Sequence, residues 1–191
     1  MKVLIVFAHP KPKSFNHAVL DSFTKGLKEG GHSFDVVDLY AEKFNPSIQL
    51  EDFRQFAGKP MPEEVQKQQE RLAQTDALVF ICPALGWFVP AILGGWIQRV
   101  FSWGFAWKAD QTGMIGLLSQ KRGLYIFTTG NPEAYYEGTG LGSAMAKILG
   151  MSLTECGIKD VDFLYLYTVA SVDDATRKKY LEQVYQKGKE F

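Results

Sequence analysis

Hydrophobic positions fall into two alternating rhythms along the chain. Short apolar runs recur at Lys2–Ala8, Ser33–Leu39, Ala77–Cys82, Arg122–Thr128 and Val161–Tyr167, each rich in β-branched or aromatic residues. The first, third and fourth are almost continuously apolar, as strands covered on both faces must be. Between them the spacing changes to that of helices. Phe15, Val19, Phe23 and Leu27 repeat every four residues, and Gly30-Gly31 supplies a left-handed stop. Pro90 opens a helix whose buried stripe is Ile92, Leu93, Trp96, Ile97 and Val100. Leu141, Met145, Ile148 and Leu149 mark another. Tyr180, Leu181, Val184 and Tyr185 mark the last, capped by Asp173 or Asp174. Glu63–Gln74 has only Val65, Leu72 and Ala73 as apolar points and reads as a largely exposed helix on the rim. Strands alternating with helices imply right-handed crossovers and a doubly wound α/β domain with a five-stranded parallel sheet and helices on both faces. No repeat or linker divides residues 1–191, so one domain is expected. Two long connections, Ala41–Pro62 and Ser102–Lys121, exceed ordinary loop length and are expected to serve the site or its surroundings.

Composition narrows the class. The 191 residues carry 21 basic and 21 acidic side chains, a balance that offers no basic excess for a nucleic acid. Ala77 to Ile97 holds no charge over 21 residues, long enough to span a bilayer, but Pro83, Gly86, Pro90, Gly94 and Gly95 interrupt it. A buried strand, a loop and a buried helix account for it, so no integral membrane segment is expected. Val3–Ala8 is too short for a secretory signal core, and Cys82 and Cys156 sit among apolar residues as reduced packing residues. The expected location is cytoplasmic.

In open parallel sheets, ligands bind beyond the carboxyl ends of the strands, where the strand order reverses. The first such loop runs from His9 to His17 and contains no glycine, so neither the dinucleotide fingerprint nor the P-loop is available. Ser14 can cap the following helix, and His9, Ser14 and Asn16 add donors to a helix N-terminus suited to an anion; an ordinary N-cap with two solvated lysines fits the same residues. In the loop Pro83-Ala84-Leu85-Gly86-Trp87-Phe88-Val89-Pro90, two large rings stand where the chain turns toward water. Either something flat packs on them or they tuck under the Ser102–Lys121 connection, which holds Trp103, Phe105 and Trp107. The loop after the fourth strand, Thr128-Thr129-Gly130-Asn131 through Tyr135-Tyr136, offers donors and acceptors and a phenol able to meet a developing oxyanion, or else a hydrophilic turn with two surface tyrosines. Together the three loops suit a ligand with a phosphate tail and a flat polar ring.

Several segments carry a resemblance. Phe7-Ala8-His9-Pro10, Ser14-Phe15-Asn16, Asp38-Leu39-Tyr40, Phe44-Asn45-Pro46, Trp87-Phe88-Val89-Pro90-Ala91-Ile92-Leu93, Arg99-Val100-Phe101, Gly104-Phe105-Ala106 and Thr128-Thr129-Gly130 resemble, in order, the flavodoxin-like NAD(P)H:quinone oxidoreductases. The chain is similar to their short bacterial and archaeal members. The resemblance implies a flavodoxin-like fold, a flavin, and ping-pong two-electron hydride transfer from NADH or NADPH to quinones or similar acceptors, at a site on a homodimer interface. Carried to matching positions, His9, Ser14, Phe15 and Asn16 would hold the flavin phosphates. Pro83, Ala84, Leu85, Gly86, Trp87 and Phe88 would follow the ring edge with backbone N–H groups. Thr128, Thr129, Gly130 and Asn131 would meet its pyrimidine side. Tyr136 and Trp87 would be the catalytic pair, with Trp103, Phe105 and Tyr136 lining the acceptor slot. Arg177 matches a residue near the adenine of FAD-binding relatives and points to FAD over FMN.

The chain also departs from the animal enzymes. Leu85 and Gly86 stand where they carry glutamine and tryptophan, Asn131 replaces a glycine, and Gly142 occupies the position of their active-site histidine. No His/Cys cluster supports a metal. Two other roles share the same cofactor: a flavodoxin-type single-electron carrier, and a regulatory flavoprotein subunit of a potassium-efflux system.

Overall fold

The structure, a computed structural model, describes residues 1–191. Five strands, β1 (Lys2–Phe7), β2 (Ser33–Asp38), β3 (Ala77–Pro83), β6 (Arg122–Thr128) and β7 (Asp160–Leu166), form one parallel sheet in the order β2-β1-β3-β6-β7. Alternate side chains of the three central strands enter separate cores. Val3, Ile5, Phe7, Val79 and Ile81 meet α1 (Phe15–Glu29) and α6 (Asp174–Lys189) through Val19, Phe23, Leu27 and Val184. Leu4, Val6, Phe80, Tyr125 and Phe127 meet α2 (Glu63–Ala73), α3 (Ala91–Val100) and α5 (Leu141–Thr154) through Leu72, Trp96, Leu93 and Leu149. This two-sided burial is why those strands lack polar alternation. The charge-free stretch divides as expected into β3, a loop and α3, and no helix is long and apolar enough to cross a membrane.

Gly31 takes the left-handed conformation that ends α1, with φ of 75°. Asp173 caps α6 by accepting from the Thr176 N–H at 2.8 Å. Ser14 stands at the N-cap of α1, but its hydroxyl pairs with His17 Nδ1 at 2.9 Å and not with a helix N–H. The side-chain cap expected of Ser14 is therefore absent, because a neighbour one turn into the helix competes for the hydroxyl.

The two long connections are folded. Leu50–Ala57 forms a 3₁₀ segment, and β4 (Trp107–Asp110) pairs with β5 (Gly113–Gly116) as an antiparallel hairpin. A further short helix, α4 (Glu133–Gly138), sits between β6 and α5. The rim helix is also less exposed than its composition suggests. Gln68 and Gln69 are buried in α2, where Gln69 Nε2 donates to Ser102 Oγ at 2.8 Å and Gln68 Oε1 accepts from Trp96 Nε1 at 3.3 Å. Amides satisfied by named partners can line a buried face that hydropathy counts as wet.

Candidate functional site

The strand order reverses between β1 and β3, and the loops after β1, β3 and β6 meet at that edge. Asn16, the second residue of α1, is buried, and its Nδ2 donates to Thr128 Oγ1 at the end of β6 at 2.8 Å. The Ala84 N–H donates to the Thr128 carbonyl at 2.9 Å, which joins the β3 and β6 loops. Thr129 N–H donates to Leu166 at 2.9 Å, and Thr129 Oγ1 closes the next turn on the Asn131 carbonyl at 2.8 Å. His9, Ser14, Asn16, Pro83, Ala84, Thr128, Thr129, Gly130 and Asn131 thus lie along one connected rim. Phe15 opens α1 half-buried on the opposite core.

Along this rim several polar groups lack protein partners. The backbone N–H groups of Phe15, Asn16, Gly86, Trp87, Gly130 and Asn131 make no hydrogen bond within the chain, whereas those of Ala84, Leu85 and Phe88 are already paired. The expected ring-edge donors therefore narrow to the loop tip. Asn16 Oδ1 is buried without a partner. An unmatched polar atom in the interior costs about 1–3 kcal/mol, so its place beside free amides at a helix N-terminus fits a bound polar group. A Cβ added to Gly86 or Gly130 would meet nothing within 4 Å, so both backbones border open space. His9 Nδ1 lies 3.1 Å from the Lys11 N–H and 3.2 Å from the Lys11 carbonyl, so the Lys11 backbone fixes the ring in either tautomer. Burial lowers the His9 pKa, opposed by the Lys11 carbonyl and aided by the charges of His17 and Lys11. His17, its ring 6.3 Å from that of His9, joins this end of the site unpredicted. Its pairing with Ser14 three residues earlier was the available signal.

These residues fit a flavin on chemical grounds: free amides and an imidazole for phosphate, free amides and threonines for the pyrimidine, and open backbone for a flat ring. Leu85 and Phe88 exchange backbone hydrogen bonds of 2.9 and 3.1 Å around Gly86 and Trp87, whose φ values are 55° and 67°. Two left-handed central residues make this a two-residue type I′ hairpin. Trp87 is 65% exposed and Phe88 39%, so neither ring tucks under the 102–121 connection. The indole Nε1 donates to Tyr135 Oη at 3.3 Å.

Tyr136 is buried and leans on Tyr165 and Tyr167, with ring centroids 5.7 and 5.6 Å away. Burial raises its pKa; Thr129 pulls it back and Tyr135 adds to the rise, so the phenol stays a donor at neutral pH. Tyr165 Oη donates to the Gly142 carbonyl at 3.3 Å, bracing the first turn of α5. Arg177 holds the loop after β7, donating to the Val169 and Ala170 carbonyls at 3.1 and 3.4 Å and pairing with Asp174 at 2.7 Å.

Two expected residues do not join this rim. Trp103 and Phe105 lie past the far end of α3, whose ten residues span about 15 Å. They line a separate cavity of about 400 Å³ with Gln55, Met61, Gln69 and Ser102.

Comparison with known proteins places this geometry. A profile described as the flavodoxin-like fold matches residues 1–189. The chain belongs to this flavodoxin-like family. A Haemophilus influenzae relative named as an uncharacterized NAD(P)H oxidoreductase is 31% identical over 189 residues, covering 98% of this chain and 94% of that protein. The guinea pig (Cavia porcellus) NAD(P)H dehydrogenase [quinone] 1 is 32% identical over 166 residues, and the match covers 78% of this chain and 60% of that enzyme. The solved structure of an NAD(P)H:quinone oxidoreductase from Methanothermobacter marburgensis superposes with a TM-score of 0.92 at 35% identity, over 99% of this chain and 98% of that one. As a flavodoxin-like protein, the chain has its rim where the fold's strand order predicts a ligand.

Proposed function

We propose that the chain is a single-domain, cytoplasmic, flavin-dependent NAD(P)H oxidoreductase that reduces quinones or similar acceptors by two-electron transfer. The observation that carries this reading is the convergence of unpartnered backbone amides and the buried, unmatched Asn16 Oδ1 on one rim. The family membership and the names of its relatives support it. A bound flavin would supply two-electron redox chemistry between NAD(P)H and the acceptor, a quinone leaving as hydroquinone after the net gain of a hydride and a proton. The chain's residues bind and orient. The N-terminus of α1, His9, Ser14 and the free backbone N–H of Asn16 would hold phosphate; the Gly130 and Asn131 amides would meet the pyrimidine; Gly86 and Trp87 would offer N–H groups to the ring edge. Tyr136 presents a protonated phenol to developing negative charge on the acceptor. FAD is proposed over FMN because Arg177 is fixed on the loop that Val169 joins to Thr129, a cation on the same rim.

A homodimer completes the proposal. Ile48, Phe53, Phe56, Met114, Ile148 and Met151 are each about half exposed, an apolar surface a monomer leaves in water. Pairing there would cover it and let Trp103 and Phe105 of a second copy complete the acceptor slot. Denaturing the purified protein and chromatographing the supernatant tests the cofactor. One flavin per chain, with direct NADH or NADPH oxidation, is expected; NAD(P)H left unoxidised by flavin-loaded protein would indicate a single-electron carrier.

A further inference from the structure

The tip of the β3–α3 loop is an energetic oddity. Tryptophan has no reason to occupy the second left-handed position of a type I′ turn, where its Cβ crowds the backbone and asparagine or glycine is preferred. It is also mostly exposed, so burial does not offset that cost. What holds the indole is a hydrogen bond to Tyr135, 48 residues later, on the first turn of α4. Tyr135 in turn stands edge-on to Tyr136, with centroids 6.1 Å apart and planes at 76°. The indole has one N–H and no other polar contact, so the Tyr135 hydroxyl is its single tether.

Resting on the functional reading above, we infer that Tyr135 is a specificity-determining positioning residue. It clasps Trp87 across the mouth of the crevice and sets the width of the acceptor slot. The clasp joins the loops that flank the slot, so its closed form favours single-ring acceptors and excludes fused-ring ones. A neutral hydrogen bond of this kind corresponds to about a fivefold bias between closed and open forms. Tyr135 is more than one-third exposed, so removing its hydroxyl leaves the core intact.

The test compares wild type with Tyr135→Phe on benzoquinone and on anthraquinone sulfonate. The variant should raise kcat/KM for the fused-ring acceptor relative to the single-ring one by about fivefold, the change falling in KM more than in kcat. Acrylamide quenching of Trp87, isolated by subtracting a Trp87→Phe protein, should increase in Tyr135→Phe with or without flavin. An unchanged acceptor ratio overturns the specificity role, and unchanged quenching overturns the clasp itself. Because quenching needs no cofactor, a protein that releases no flavin would overturn the functional reading separately.

Discussion

Trp87 pays for its position in backbone strain, and relief of that strain is measurable. Replacing it with asparagine, which tolerates the left-handed region, should stabilise the protein by roughly 1 kcal/mol in chemical denaturation while slowing acceptor reduction. A less stable variant would show that the turn is not strained. Tyr136→Phe addresses the neighbouring phenol. It removes the donor but leaves a ring of the same shape on Tyr165, so flavin content should hold while acceptor reduction slows roughly ten- to hundredfold in stopped-flow traces. Equal rates would remove Tyr136 from the reaction. At this scale the sequence shows residue type well and environment poorly. The prolines, glycines and threonines of the three loops were legible as a rim, and Gly142 as a gap. The family resemblance singles out Tyr136, but periodicity and composition do not separate it from Tyr135, and one faces water while the other is buried; the physical difference arises when α4 turns its second tyrosine onto Tyr165 of β7.

The elements show the same division between what periodicity encodes and what polar partners encode. All five sheet strands follow from apolar runs, most directly the central three, whose burial on both faces leaves a signature, whereas the strand order is implied only by the family resemblance. The 41–62 connection left no such signature, because its structure rests on isolated contacts with α3, chief among them a buried ion pair. Arg99 in α3 forms a bidentate contact with Asp52 of the 3₁₀ segment at 2.8 and 3.0 Å, reaches the Asn45 carbonyl at 2.7 Å and Glu64 at 2.5 Å, and lies about 5.6 Å from the Phe44 ring. Gly95, one turn earlier, lets Pro46 approach so closely that an added Cβ would stand 2.2 Å from its carbonyl oxygen. Segments separated by some fifty residues are thus fastened by two contacts that have no period. Arg99→Met should cost about 3–5 kcal/mol in chemical denaturation, because Asp52 remains buried without its cation. Most of the loss should reappear as protease cleavage between residues 47 and 60, and a variant no less stable than wild type would refute the account. The exposed phenylalanines of the 3₁₀ segment, Phe53 and Phe56, depend on the same pair for their presentation on the proposed dimer face.

For the molecule as a whole, titration should weaken the fold from both ends of the pH scale. On the acid side, the hydrogen bond from Arg71 chiefly holds Asp35 below the ordinary carboxyl value, against a smaller contribution from burial. Its stabilisation is present above the unfolded value of 3.8 and disappears as pH falls through the lower folded value. The alkaline side is more heavily loaded. Burial, with the charge of Glu155, pushes the Cys156 thiol from 9.0 up to about 11. Burial, with Tyr167 and Tyr136, pushes Tyr165 from 10.0 up to about 12, and burial drives Cys82 and Tyr125 higher still. The folded protein keeps these protons when the unfolded chain has already released them, so their stabilisation is intact below about pH 9 and is lost as pH rises through the folded values. Urea midpoints should therefore hold steady from neutrality to about pH 9 and then fall continuously. Cys156→Ala should begin from a slightly lower midpoint and decline less between pH 9.0 and about 11, since one of the two thiols that release their protons first in the unfolded chain is gone. A wild-type midpoint that stays level to pH 11 would mean that these phenols and thiols are not buried as the two-core packing requires.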